Sequence, residues 1–377
     1  MTTFGIDARA AAEVPAGRGR VVREVLTALV RLRGAERYVL YCRRPAELEL
    51  DARFEWRVVD RPDPLWHLVT ADRASRECDA FLSTNSYLTA WFTRVPCAVI
   101  VYDLVPFIPG AQAQRRAARI ERATIDVGVR RARALICISE ATRRDLVARV
   151  PSAGPRAVVV PLAAGPPFGP SRSAAERPDR PHALAARAPF AAPGPAAEPP
   201  GRPYVLAAGT LEPRKNLERL LAAWARLPAP LRDSHELVLV GPAGWEADAI
   251  LAGAREGGVR VTGFVSDEEL AALYGGCEAF CYPSLYEGFG LPVLEAMLAG
   301  APVITSDISS LPEVAAGAAL LVDPLSVDAI GGALERLLGD RQLRDELRTA
   351  GRERAAQFSW DATATALRDV LRAIAGR

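Results

Sequence analysis

Two glutamates and a glycine loop fall within one short stretch, Cys281 to Thr305, CYPSLYEGFGLPVLEAMLAGAPVIT. Glu287 and Glu295 have seven residues between them, and Gly288 and Gly290 lie in that interval. The pattern is an apolar strand ending at Tyr282-Pro283, a glycine loop, a helix opened by Pro292 and closed by Gly300, then a second apolar strand. Glycines let backbone approach an anion, and a first helical turn presents N–H groups without internal partners. Glu295 is expected in that first turn, its side chain leaning back toward the helix start. A phosphate cradle bracketed by two hydroxyl-accepting carboxylates suits a sugar nucleotide better than a bare phosphate. The helix dipole alone also favours a glutamate in the first turn, by ~0.3–1 kcal/mol, so the spacing leaves both readings open.

A second chemical signal is compositional. The chain has 47 basic residues, and Lys215 is its single lysine. It lies in Gly209-Thr210-Leu211-Glu212-Pro213-Arg214-Lys215-Asn216, directly after a strand pattern at Tyr204-Val205-Leu206-Ala207. A strand end followed by a glycine turn is where α/β folds bind ligands. An ammonium is a compact charge that guanidinium does not imitate. Arg214 and Lys215 therefore read as a diphosphate clamp, against the alternatives of a solvated surface pair and chance survival of one lysine.

These residues need strands and helices to hold them, and the 377-residue chain is long enough for two domains. Half its residues are hydrophobic and 24% are charged, a globular balance. A net charge of +2 gives no general case for nucleic acid. No apolar run reaches the length of a membrane span, and MTTFGIDARA enters a strand pattern without a signal peptide. The six cysteines, at 42, 78, 97, 137, 277 and 281, form no CxxC pair, so zinc ligation and a disulfide framework are not expected. Buried free thiols and a cytoplasmic location are the expectation.

Residues 1–165 alternate apolar runs with helical patterns, as in a parallel sheet wrapped in helices. The first strand, Thr3 to Ile6, leads to a loop with Gly17 and Gly19, then a helix from Val21 to Leu32; this loop is a weak anion-binding signal. Further strands are expected at 38–42, 56–59, 79–82, 97–102, 134–138 and 157–160. The run Val99 to Asp103 delivers Tyr102 and Asp103 to a strand end, Asp103 as a candidate catalytic carboxylate. Ser139 and Glu140 open a helix to 149 and are explained as a cap alone. An arginine-rich helical stretch, Gln112 to Arg133, carries Arg115, Arg116, Arg119, Arg122, Arg130, Arg131 and Arg133. It reads either as peripheral contact with an anionic membrane surface or lipid phosphate, or as a solvated face.

Residues 166–203 are rich in proline and alanine without periodicity, so they read as a linker or partly disordered insertion. The second domain, 204–358, has strands expected at 204–207, 237–240, 259–262, 279–282, 302–305 and 319–322. Its helices are expected at 216–227, 292–299, 326–338 and 340–357. Ser266-Asp267-Glu268-Glu269 spells a capping box. Ser359-Trp360-Asp361 caps a last amphipathic helix in 359–377. His67, His182 and His235 are scattered, and neither a metal cluster nor a nucleophile–histidine pair is suggested.

Taken together, GTLEPRKN, VGPAG, VTGFVSDEEL, EGFGLPVLE, SSLPEV and LLVDP stand in register from about Tyr204 to Asp361. They resemble the donor half of a family 4 retaining glycosyltransferase of GT-B architecture, which implies an α/β fold of two Rossmann-like domains facing across a cleft. GIDAR, VYDLVPF and ISEATRRDL extend the similarity more loosely to the first domain. The form GTLEPRKN resembles bacterial polysaccharide mannosyltransferases in particular. The resemblance implies that Arg214 and Lys215 hold the donor diphosphate, Glu295 the ribose hydroxyls, and Glu287 the transferring sugar. It puts the amides of Gly288, Phe289, Gly290 and Leu291 around the distal phosphate and sugar. Phe264 and Val265 would lie by the nucleobase, with Gly209 and Thr210 at the strand-end turn. Gly17 and Gly19 would approach from the other domain, onto which the C-terminal helix crosses back.

The implied partners are a nucleotide-sugar donor, GDP-mannose first and UDP-sugars next, and a glycan or lipid-linked acceptor, with no metal or other cofactor. Two departures stand on the sugar and acceptor side. Tyr102 replaces a histidine, and Ala16-Gly17-Arg18-Gly19-Arg20 replaces a GIGRY-like element. A GT-B epimerase or phosphorylase, and a non-catalytic nucleotide-sugar-binding subunit, are the competing readings.

Overall fold

A computed structural model describes residues 1–14, 17–107, 115–169 and 200–376, without the side chains of 115–118, 120 and 121. The chain forms two compact units. The first runs to Leu162 and takes in the segment from Ser359 on; the second runs from Ala163 to Phe358.

Each unit is built on a wholly parallel sheet. The first contains β1 (Thr3–Asp7), β2 (Arg37–Cys42), β3 (Phe54–Val58), β4 (Ala80–Ser83), β5 (Cys97–Val101), β6 (Ala134–Cys137) and β7 (Ala157–Val159). Their spatial order is β3-β2-β1-β4-β5-β6-β7. The second contains β8 (Tyr204–Ala208), β9 (Glu236–Val240), β10 (Arg260–Gly263), β11 (Ala279–Tyr282), β12 (Val303–Ser306) and β13 (Leu320–Val322), in the order β10-β9-β8-β11-β12-β13. Helices cover both faces of such sheets, so the central strands β4, β5, β6, β8, β11 and β12 are buried along their whole length. That is why they read as unbroken apolar runs. The strand order reverses between β1 and β4 and between β8 and β11, opening a crevice at the C-terminal edge of each sheet.

The helices follow the sequence periodicity. Leu217–Arg226 buries Leu217, Leu220, Ala223 and Trp224, and Val327–Gly339 buries Ile330, Leu334, Leu337 and Leu338, into one core with Val205, Leu237 and Ile304. Each fully buried leucine contributes up to about 1.5–3 kcal/mol. The Ser266 capping box is formed on both sides, Ser266 Oγ accepting from Glu269 N–H and Glu269 Oε2 from Ser266 N–H. Ser139 and Ser359 cap the helices Glu140–Arg149 and Trp360–Ile374. The last helix belongs to the first unit, where Thr363 donates to Pro161 O at 2.7 Å and Arg368 to Arg33 O at 2.8 Å.

Some expectations shift. The helix expected from Val21 starts at Arg18, so Gly19 is helical rather than part of a loop. A Cβ at Gly19 would lie 1.7 Å from Val14 O, so the helix can pass this close to Val14 only with glycine there. The helix expected from Pro292 is Leu291–Ala299, so Glu295 is its fifth residue and lies beyond the first turn. β3 starts earlier than expected, at Phe54, which stacks on Tyr38 at 4.7 Å. The helix Asp248–Glu256 was not anticipated. Of the proline-rich stretch, 170–199 lie outside the described residues; at its start, Phe168 is buried edge-on against Tyr274. All six cysteines are free, and five are buried. Among the described residues, no helix is long and apolar enough to cross a membrane.

Candidate functional site

β8 and β11 are neighbours at the point where the second sheet reverses, so the loops leaving their C-terminal ends meet. After β8 the chain turns at Gly209, whose φ of 132° favours glycine. Gly241 at the end of β9 lets the two backbones close up, since a Cβ there would lie 2.0 Å from Gly209 O. The turn is fixed by Gly209 N–H on Val240 O and Leu211 N–H on Pro242 O, both at 2.9 Å. Pro213–Lys215 then forms a single 3-10 turn, ended by Asn216 in the left-handed region. Asn216 is buried, and its amide donates to Pro283 O at 2.9 Å and Pro324 O at 2.7 Å. Leu285 N–H donates to Arg214 O at 2.9 Å. These bonds tie the first loop to the second.

The second loop, between β11 and the helix Leu291–Ala299, is held by hydroxyls from the segment that includes and follows β12. Thr305 Oγ1 donates to Tyr282 O, and Ser306 Oγ to Ser284 O. Ser310 Oγ donates to Glu287 O at 2.9 Å and Phe289 O at 2.7 Å, while Ser309 Oγ accepts from Glu287 N–H. Gly290 opens the helix with φ 112°, and a Cβ there would meet Leu311 Cδ2 at 2.8 Å. A buried loop needs its carbonyls satisfied, and these serines and threonines supply the donors.

On this frame the two cations converge on one carboxylate. Lys215 Nζ lies 2.7 Å from Glu287 Oε1, and Arg214 Nη1 lies 2.9 Å from Glu287 Oε2. Tyr282 OH donates to Glu287 Oε1 at 2.8 Å and accepts from Lys215 Nζ, which sits 4.7 Å from the Tyr282 ring centroid. Arg214 also reaches Glu212 Oε1 at 2.5 Å and Tyr286 O at 2.9 Å. Lys215 is 8% exposed and Glu287 9%. Burial pushes the Glu287 carboxyl up, but the charges of Arg214 and Lys215, with their hydrogen bonds, outweigh it and hold the group at about 2. Burial depresses the Lys215 ammonium despite its pairing with Glu287. Against the same penalty, Glu287 and Glu212 raise the Arg214 guanidinium. The result is a preorganised pair of fixed cations at a sheet's C-terminal edge, suited to a diphosphate.

The other sequence candidates are distributed as follows. Glu295, 4% exposed, stands on the helix behind the loop, and its place past the first turn removes the dipole explanation for it. Gly288, Phe289 and Gly290 are buried, and Phe289 packs edge-on against Phe358. Leu291 is half-buried and Thr210 exposed. Phe264, 40% exposed, follows Gly263 at the end of β10, while Val265 is buried. Gly17, Gly19, Tyr102 and Asp103 belong to the first unit. Gly17 caps the helix start with φ 53° and open space around it, whereas helical Gly19 faces Val14 O and lines no loop. Tyr102 lies under Arg18, whose guanidinium carbon is 5.5 Å from the ring centroid. Asp103 Oδ1 accepts from Val105 N–H at 3.1 Å, turning the chain after β5.

In the arginine-rich helix Arg115–Arg131, Arg122 donates to Pro106 O; Arg119, Arg130 and Arg131, and Arg133 just beyond it, are exposed. Sequence reasoning assigned no role to Tyr282, Glu212 or Asn216, although all three stand inside the quoted motifs. In the first unit it also passed over Asp7 and Arg9, which pair at 3.1 Å.

Comparison with known proteins adds the following. Residues 192–354 match the family model described as glycosyl transferases group 1. O-antigen chain mannosyltransferase B of Escherichia coli is 46% identical over 157 residues, 41% of this chain and 41% of that protein. Serotype-specific mannosyltransferase WbdA of Escherichia coli is 41% identical over 160 residues, 41% of this chain and 20% of that protein. MMP alpha-(1->4)-mannosyltransferase of Mycolicibacterium hassiacum is 41% identical over 158 residues, 40% of this chain and 38% of that protein. The matched stretch thus spans 41% or less of each relative.

The fold is shared along the full chain with sucrose-phosphate synthase from Thermosynechococcus elongatus, at TM-score 0.74, 20% identity and coverage of 99% and 98%. It is shared also with Anabaena HepE in complex with UDP-glucose, at TM-score 0.72, 16% identity and coverage of 99% and 100%. These neighbours establish the GT-B fold, two Rossmann-like units.

Proposed function

We propose that this protein transfers mannose from GDP-mannose to a glycan or lipid-linked acceptor, retaining the anomeric configuration and needing no metal. The observation that carries the reading is the convergence of Lys215, Arg214 and Glu287 at the β8–β11 reversal. The mannosyltransferase relatives, which match over about two fifths of this chain, support the choice of sugar.

In this reading the anomeric C–O bond to the donor diphosphate breaks while the acceptor oxygen bonds to the same face of the anomeric carbon. The acceptor proton passes to the departing phosphate. Negative charge grows on that phosphate, and Lys215 and Arg214, held on the loop after β8, stabilise it. Loss of one such group typically costs on the order of 2.7–4 kcal/mol of barrier. Glu287 orients the sugar and stabilises its oxocarbenium character. Glu295 binds the ribose hydroxyls, and Phe264 and Val265 lie by the base.

The test is turnover of Lys215→Ala and Glu287→Ala beside thermal unfolding. Each variant should stay folded and lose about 10²–10³-fold in transfer. Lys215→Arg should also be impaired, because the guanidinium fork is larger than the ammonium it replaces. Near-normal rates in Lys215→Ala would remove it from the mechanism. A thermal-shift panel of GDP, UDP, ADP and dTDP sugars identifies the donor. A UDP-sugar is the second reading, favoured by the UDP-glucose complex of HepE. Conversion of the donor alone into an isomeric nucleotide sugar, seen by product analysis, would indicate an epimerase. Donor binding with no transfer to any acceptor would indicate a binding subunit.

A further inference from the structure

Glu287 occupies the cations that the donor diphosphate must use. Both of its oxygens are engaged, Oε1 by Lys215 at 2.7 Å and Tyr282 at 2.8 Å, and Oε2 by Arg214 at 2.9 Å. With Glu212 on the second arm of Arg214, the cluster holds two positive and two negative groups and is neutral. A diphosphate entering beside Lys215 and Arg214 would be a further anion among charges already matched, in a place with little water to screen the repulsion.

The backbone of Glu287 cannot withdraw easily. Its N–H is bonded to Ser309 Oγ and its carbonyl to Ser310 Oγ, which also holds Phe289 O. The helix that follows, Leu291–Ala299, is capped by Gly290, where a Cβ would meet Leu311 Cδ2 at 2.8 Å. What can move is the Glu287 side chain, by rotation about its own bonds. Tyr282 stays behind as a hydrogen-bond partner for Lys215.

We propose that Glu287 is a resident anion: it neutralises Lys215 and Arg214 when no donor is bound, and it leaves them when a diphosphate arrives. This rests on the donor reading above and adds a selectivity to it. A diphosphate without a sugar displaces the carboxylate and offers it nothing in return. A sugar diphosphate supplies hydroxyls that donate to the displaced carboxylate. Glu287 therefore weakens the binding of product and of inorganic anions, and favours the complete donor.

The experiment is calorimetric titration of wild type, Glu287→Gln and Glu212→Gln with inorganic pyrophosphate, GDP and GDP-mannose. In Glu287→Gln, pyrophosphate and GDP should bind at least about tenfold more tightly, since close charge pairs couple by more than the energy of one decade. GDP-mannose should gain less, so the preference for donor over GDP shrinks. Glu212→Gln, which removes a carboxylate from Arg214 alone, should tighten pyrophosphate by a smaller factor. Unchanged or weaker pyrophosphate binding in Glu287→Gln would overturn the proposal. If pyrophosphate tightens but no nucleotide binds wild type, the resident anion stands and the donor reading fails. Should Glu287→Gln not fold, Glu287→Ala carries the same expectation. A pyrophosphate complex with Glu287 still bonded to Lys215 would also overturn it.

Discussion

Each sheet reverses its strand order once and holds a buried ionic cluster at the reversal, and the two clusters have different surroundings. In the first unit, Asp7 ends β1 and is wholly buried, with Arg9 on both of its oxygens at 3.2 and 3.1 Å. The other arm of Arg9 goes to Asp63, and its guanidinium lies 3.7 Å from the Trp66 ring centroid. Arg43 bonds the same Asp63, and His67 bonds Thr89 at 2.8 Å. Arg9 is thus held by Asp7, by the partly exposed Asp63 and by the Trp66 ring. In the second unit the cations stand on loops bounded by Gly209, Gly241 and Gly290, and their carboxylate is on a side chain that can rotate. The same topological position serves as a structural anchor in one unit and as a candidate site in the other. What separates them is the partner of the cations: Asp7 sits on a strand end beside Arg9, whereas Glu287 reaches Lys215 and Arg214 from a separate loop.

The largest effect expected from this contrast is on Arg9→Ala. It strands Asp7 as a buried unpaired charge, costing ~3–5 kcal/mol of stability. Calorimetry of the full chain should show Lys215→Ala losing clearly less, because Glu287 keeps Arg214 and Tyr282. Equal losses would mean that both clusters are anchors.

Next comes Asn216→Ala. It strips a donor from the carbonyls of Pro283 and Pro324 and separates the two site loops, at a cost of ~1–3 kcal/mol. Transfer should fall as well; intact transfer beside lost stability would show that the loops hold their positions without Asn216.

Gly17 and Gly19, at the start of one helix in the first unit, sharpen the comparison. Gly19→Ala drives a Cβ into Val14 O, an overpacking that typically costs 1–3 kcal/mol. Gly17→Ala meets no atom within 4 Å and bears only the strain of its positive φ. A reversed ranking in chemical denaturation would show that the helix start differs from this description.

The smallest effect is one of pH. Burial first, then the charge of Arg9, holds the His67 imidazole down at about 4, so the unfolded chain takes up that proton first. The stability this group contributes is complete above its ordinary 6.5 and is lost as pH falls from there toward about 4. Glu287 contributes fully above its ordinary 4.5 and loses its share only as pH falls toward about 2. Between pH 7 and 5, melting temperature should therefore fall through His67 and not through Glu287, and His67→Gln should flatten that slope. A slope unchanged in His67→Gln and removed in Glu287→Gln would invert the assignment.

Much of this was legible in the amino-acid order. Strands buried on both faces are apolar runs, so the parallel sheets and the alternation of strand and helix could be read directly. Ser266 and Glu269 announced their helix start by a spacing that only a capping box needs. The lone lysine marked Lys215 before any partner was known. The helix start near Gly19 lies three residues before the expected one and that before Glu295 one residue before, because a helix start depends on tertiary context as well as local pattern.

The sequence by itself determined two Rossmann-like units, a glycine loop with two glutamates, and an ammonium after the first strand of the second unit. Only the tertiary structure decided that Lys215, Arg214, Glu212, Glu287 and Tyr282 form one neutral cluster. Lys215 and Glu287 are 72 residues apart, and they meet because β8 pairs with β11 where the sheet reverses. No local periodicity encodes that pairing.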